Sequence, residues 1–147
     1  MDKVKVSDKL LLSVEKPARY TGGELNSIVK ETARLRFALC FPDVYEIGMS
    51  HLGSRILYEV INSREEYACE RCFAPWPDME KAMRENNVPM FTLETRTPLA
   101  ECDIVGFSLL YEMCYTNILT MLDLAHILKR SADRCENEPI IVAGGGC

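Results

Sequence analysis

From Leu35 onward, short apolar runs alternate with segments of helical periodicity, and this alternation restricts the chain to few architectures. Arg36-Phe-Ala-Leu-Cys-Phe41 is almost wholly apolar and is closed by Pro42, as expected of a strand covered on both faces. Asp103 to Leu109 and Pro139 to Ala143 read the same way, while Cys69 to Ala74 and Val88 to Leu93 are weaker strand candidates. Between them, Met49, Leu52, Ile56, Leu57, Val60 and Ile61 recur at helical spacing and predict one helix. Met79, Ala82 and Met83 mark a shorter helix ended by Asn86-Asn87. A third helix is expected from about Tyr115 to Lys129, apolar around much of its circumference and therefore well covered. Strands joined by crossovers of a dozen or more residues imply right-handed βαβ units. The expected fold is α/β, a doubly wound parallel sheet spanning 35–147.

Residues 1–34 do not share this rhythm and are expected to form an extension packed on the domain. Ser7 to Lys16 reads as a short helix ending before Pro17, and Tyr20-Thr-Gly-Gly23 as a turn. Glu24 to Lys30 is compatible with either an edge segment or a helical turn. At the other end, the last strand runs into Gly144-Gly145-Gly146 one residue before Cys147, so the domain is expected to be C-terminally incomplete. Its final helix and a further βα unit are the parts expected to be missing.

The 147 residues fall in the single-domain range. No apolar stretch approaches the roughly 20 residues that span a bilayer. Met1-Asp-Lys-Val-Lys-Val lacks the apolar core of a leader, which makes the cytoplasm the expected compartment. Net charge is −5 and the 17 Lys and Arg residues are scattered, so nothing predicts a nucleic-acid footprint or a membrane surface. Seven cysteines, an odd number without secretory features, read as reduced thiols. Cys40, Cys102 and Cys114 lie in or beside apolar segments, where the thiol behaves as a small hydrophobe.

Three loops follow predicted strands: Asp43-Val-Tyr45-Glu-Ile-Gly48, Ser108-Leu-Leu110 and Gly144-Gly145-Gly146. In an open α/β sheet, ligands bind outside the carboxyl ends of the strands, so all three loops are expected at one binding edge. Their order resembles the flavodoxin-like cobalamin-binding domains, which carry D-x-H-x-x-G, then S-x-L, then G-G. The resemblance implies that Asp43 and Gly48 shape the first loop, Ser108 and Leu110 the second, and Gly144 and Gly145 the third. In that family the Asp orients the His, and the His binds cobalt in place of the cofactor's own base, whose nucleotide tail threads into the cleft. Here Tyr45 stands at the histidine position. A phenol with a reference pKa of about 10 is a poor cobalt ligand, so the resemblance implies a cobalamin held without a histidine lower ligand.

Longer strings extend the likeness: Arg19 to Asn26, Arg36 to Gly53, Phe73 to Met79, Leu93 to Leu99 and Gly106 to Glu112. Together they are similar to a bacterial group of radical S-adenosylmethionine (radical SAM) proteins in which a cobalamin-binding-like region precedes the radical SAM domain. That domain of the same parent protein is the implied partner. None of the cysteines has the C-x-x-x-C-x-x-C spacing that holds a [4Fe-4S] cluster, so cluster and S-adenosylmethionine are expected only in the missing C-terminal part. Cys69-Glu-Arg-Cys72 lies on a predicted strand, where residues three apart face opposite sides. The chain alone is expected to bind rather than to turn over substrate.

Two rival functions stand beside cobalamin binding. One is a structural interdomain module that has lost the cofactor. The other is a nucleotide- or flavin-binding domain using the triple glycine as a phosphate turn. Single residues also have plain readings. Asp43 is a candidate helix cap, Ser108 a small polar strand end, His51 a polar residue at a helix start and His126 a structural histidine within a helix. Trp76 reads as an apolar anchor. Arg96, Tyr111 and Glu112 would share the binding rim, and Glu65-Glu66 and Lys129-Arg130 are solvated helix ends.

Overall fold

The computed structural model describes residues 3–146. Met1, Asp2 and Cys147, on which the readings of the two chain ends rest, lie outside the described residues. Four strands, β1 (Leu35–Phe41), β2 (Tyr67–Phe73), β3 (Ile104–Leu109) and β4 (Ile140–Gly145), form one sheet in the order β2-β1-β3-β4. Every pairing is parallel. The chain steps from β1 outward to β2 and then back across the sheet to β3 and β4. The order therefore reverses between β1 and β3, the topological switch point of a doubly wound fold.

Strand alternation assigns the two faces. On one, Ala38 and Cys40 of β1 and Val105 and Phe107 of β3 pack with Met79 and Met83 of α4 (Pro77–Asn86). Met121 and Leu122 of α5 (Tyr115–Leu124) complete that core. On the other, Leu39 and Cys69 meet Tyr58 of α3 (Leu52–Asn62). This face is covered over β1 and β2 and bare over β3 and β4, where Ile140 is 64% and Val142 43% exposed. The N-terminal residues close the first core: Val4, Val6, Val14 and, from α1 (Asp8–Leu11), Leu10 and Leu11 are buried in it. No described helix is long and apolar enough to cross a membrane.

Several expectations are corrected. The single helix expected from Met49 is two, α2 (Tyr45–Ser50) and α3, because His51 takes an extended conformation (ψ 113°) between them. Moreover, the apolar stripe of α3 points outward. Leu52, Ile56, Leu57 and Val60 are exposed, whereas Ser54, Tyr58 and Asn62 are buried. The polar tips of the buried residues find partners: Tyr58 Oη accepts from Ile28 N–H at 2.7 Å, and the Asn62 amide exchanges two 3.0 Å hydrogen bonds with the Cys69 backbone. Asn62 thus joins helix to strand as a backbone ladder would.

Val88 to Leu93 is not a strand; its only pairing is an antiparallel bridge between Phe91 and Pro98. This loop is held by the charges of β2 instead. Glu70, 1% exposed, is paired with Arg36 and accepts from the hydroxyls of Thr92 and Thr95. Arg71 reaches Glu94 at 2.6 Å and Glu24 at 3.3 Å, and stacks over Tyr58. Burial pushes the Glu94 carboxyl up, against the pull of Arg71.

The last helix stops at Leu124 rather than continuing to Lys129, and one side of it is open, with Leu119 half exposed. His126 follows it in a left-handed conformation and is exposed, not a structural histidine within the helix. The thiols of Cys40, Cys69, Cys72, Cys102 and Cys114 are buried and free. Cys69 and Cys72 belong to cores on opposite faces of the sheet.

Candidate functional site

The carboxyl edge at the switch point is closed by a link between its two flanking loops. Tyr111, after β3, donates its hydroxyl to Asp43, after β1, and the Asn117 amide donates to Pro42 O at 2.9 Å. The Tyr111 phenol is held up at about 12, by the hydrogen bond to the Asp43 carboxylate first, then by desolvation, and then by that carboxylate's charge. Asp43 also accepts from the next backbone N–H, of Val44, at 2.7 Å. It does not cap α2, whose N-cap is Val44 with no side-chain bond.

Tyr45 turns away from Asp43, toward the β2 side. Its ring meets Phe73 edge-on at 5.4 Å and its hydroxyl donates to Glu24 at 3.2 Å. Gly48 lies on the same side and is there for packing: a Cβ would stand 2.2 Å from the Phe73 ring. Leu110 is 40% exposed at the rim and Trp76 42%, with the Arg19 guanidinium 5.1 Å from the Trp76 ring centre. Arg96 sits in the 92–97 loop, where its carbonyl accepts from Val4 N–H.

Ser108, Gly144 and Gly145 do come together, because β3 and β4 pair Ser108 with Gly144 and Leu109 with Gly145. They line a trough of about 540 Å³ between the bare sheet face and α3. Ligand sites are typically about 300–1,000 Å³. Gly106, Val142 and Phe37 form much of its floor, with Ile56 and Leu57 on the helix side. Its two glycines at the strand end differ. A Cβ on Gly145 would lie 1.8 Å from the Leu109 carbonyl oxygen, so backbone packing alone accounts for it. A Cβ on Gly144 would meet nothing within 4 Å, so its protein neighbours do not account for it.

His51 also lines the trough, a role the sequence reading did not assign. Its ring caps α3 by accepting from Ser54 N–H at Nδ1, 3.1 Å away, and lies 5.2 Å from the Phe41 ring. An unusual N-cap at a helix break was the available signal, but unbroken apolar periodicity hid it. Among the described residues there is no group of three or more His, Cys, Asp or Glu side chains placed to hold a metal.

A second hollow, of about 160 Å³, lies on the β2 side beneath Leu25 and Asn26. It contains Arg71, whose guanidinium is already committed to two carboxylates.

The family model described as radical SAM proteins, N-terminal, matches residues 53–147, well over half of the chain. That span holds Ser108, Gly144 and Gly145 but begins after the Asp43 to Gly48 loop. No curated protein and no solved structure matches the chain.

Proposed function

This chain belongs to the family of N-terminal regions of radical SAM proteins, and we propose that it serves there as a cofactor-holding module that takes the nucleotide tail of a cobalamin in the trough between α3 and β3-β4. The observation that carries this reading is Gly144, an absent side chain with no protein neighbour to explain it, beside Ser108 at the carboxyl edge. Bound cobalamin would supply one-carbon or one-electron chemistry at its cobalt. The chain's own contribution is to bind and orient. Ser108 offers a hydroxyl, Gly144 lets a flat group lie against the backbone beside the Phe37 ring that covers Gly106, and the Asp43–Tyr111 link sets the spacing of the loops above.

The residues fit the tail and not the cobalt. Tyr45 gives its hydroxyl to Glu24, and the Nδ1 lone pair of His51 is spent on the helix cap. The lower face of the corrin is thus left without a protein ligand. The iron–sulfur cluster and S-adenosylmethionine belong, in this reading, to the radical SAM domain of the parent protein, the module's partner.

Anaerobic titration of the purified chain with hydroxocobalamin, followed by visible absorbance, tests the proposal. Saturable binding with a base-off spectrum is expected, and Gly144→Val should weaken it at least about tenfold while leaving circular dichroism unchanged. A folded chain that leaves the cofactor spectrum unaltered overturns it. That result would favour the second reading, an interdomain module without cofactor, for which the specific observation is the exposed apolar face of α3. Leu52 is 65% and Val60 59% exposed there, and an interdomain contact would cover both.

A further inference from the structure

We propose that His51 is the hydrogen-bond donor that selects the trough's ligand, and that the group it selects is a neutral, planar heteroaromatic base with an in-plane acceptor atom. The inference rests on the cobalamin reading, in which that group is the benzimidazole of the tail, but the geometry of His51 stands independently of it. A backbone N–H only donates, so the 3.1 Å bond from Ser54 N to Nδ1 makes Nδ1 the acceptor, and the Ser54 hydroxyl, 2.9 Å from the same nitrogen, then donates to it as well. A neutral imidazole with a bare Nδ1 carries its proton on Nε2.

The free edge of the ring, Cε1 and Nε2, lies beside Gly53, which lines the same trough; an added Cβ there would be 2.9 Å and 3.4 Å from these atoms. No hydrogen bond joins Nε2 to another described residue. The helix cap therefore fixes the tautomer, and the tautomer makes His51 a donor and not a metal ligand.

The rest of the lining defines what the donor meets. No Lys, Arg, Asp or Glu side chain lines the trough, so a phosphate there would find no compensating charge. Apart from His51 and Ser108 the walls are apolar side chains and glycines. The bare backbone at Gly144, bordered by the Phe37 ring that covers Gly106 and faced by Ile56 and Leu57, suits a ring held edge-on to the two polar groups. A nucleotide bound by its phosphates fits this lining poorly, and an aza-aromatic ring fits it well.

Two measurements test the proposal on the whole chain. Imidazole ¹⁵N spectra of the unliganded protein should show His51 protonated at Nε2 and bare at Nδ1; a proton on Nδ1 overturns the donor assignment whatever the protein binds. Hydroxocobalamin is then titrated against the wild type and His51→Asn, whose amide oxygen keeps the cap but puts no donor at the Nε2 position. The variant should match the wild type in thermal midpoint and bind about tenfold more weakly, as expected for one lost hydrogen bond.

Cobinamide, the corrin without its nucleotide tail, should bind both proteins alike. Equal cobalamin affinities sink the role of His51 and leave the cobalamin reading standing. No binding by the wild type removes that reading and the inference with it. A cobinamide affinity that falls with the variant shows damage outside the tail site and also overturns it.

Discussion

The Tyr111 hydroxyl donates to the Asp43 carboxylate across the switch point, tying the loop after β1 to the loop after β3. The pair joins residues 68 positions apart in sequence, at the edge where parallel α/β sheets bind their ligands.

Its first consequence is a titration. The carboxylate holds the Tyr111 phenol at about 12, above its ordinary value. A raised folded-state value means the bond's stabilisation is complete below the unfolded pKa, about 10, and is lost as pH rises through the folded one. Asp43→Asn should return one tyrosine to about 10, read as tyrosinate absorbance. An unchanged titration curve would show that the pair does not persist in solution.

Glycines at two of the loops should respond oppositely to the same added methyl. Gly48→Ala places a Cβ 2.2 Å from the Phe73 ring and should cost about 1–3 kcal/mol in urea unfolding. Gly144→Ala meets no protein atom and should change stability by less than about 0.5 kcal/mol. Equal losses at both positions would contradict this distinction.

The buried pair of Glu70 and Arg36 gives a third expectation. Glu70→Leu leaves the guanidinium, itself only 8% exposed, without its carboxylate and should cost about 3–5 kcal/mol. Arg36→Met in the same chain should recover most of that loss, since an uncompensated charge is costlier than an apolar pair of similar volume. Denaturant midpoints of the two variants decide it.

Acid should loosen the N-terminal segment. Arg19 and Lys16 hold the Glu46 carboxyl down at about 2, the Arg19 hydrogen bond first. A depressed folded-state value contributes stability above the unfolded pKa, about 4.3, that is lost as pH falls toward 2. Arg19 also stacks over Trp76, the chain's single tryptophan, so its fluorescence reports the release. Glu46→Gln should show the acid-form emission already at neutral pH. A variant with wild-type emission would disconnect the ion pair from the stack.

Much of the fold is legible in the sequence alone. The apolar runs at 36–41, 103–109 and 139–143 are strands within one or two residues, and the weaker 69–74 is a strand as well. A run that must be buried on both faces has few alternatives to a parallel interior. Family likeness was legible too, and the match over 53–147 bears out its coarser part, an N-terminal region of a radical SAM protein.

Periodicity showed that residues 52–61 are amphipathic, yet not which side is inside. That was decided by Tyr58 and Asn62, whose polar tips bond Ile28 and the Cys69 backbone and carry their side of α3 inward. Likewise Val88 to Leu93 has the composition of a strand, but Glu70 and Arg71 claim the neighbouring Thr92, Glu94 and Thr95 as partners and hold the segment as a loop. Local sequence determined which residues could be strand or helix, because apolar spacing is a property of neighbours along the chain. The destination of each polar group was settled only in three dimensions: Tyr45 toward Glu24, Asp43 toward Tyr111, His51 toward Ser54. Hydrogen-bond partners are chosen by distance in space, and for the first two of these the partner lies 21 and 68 residues away.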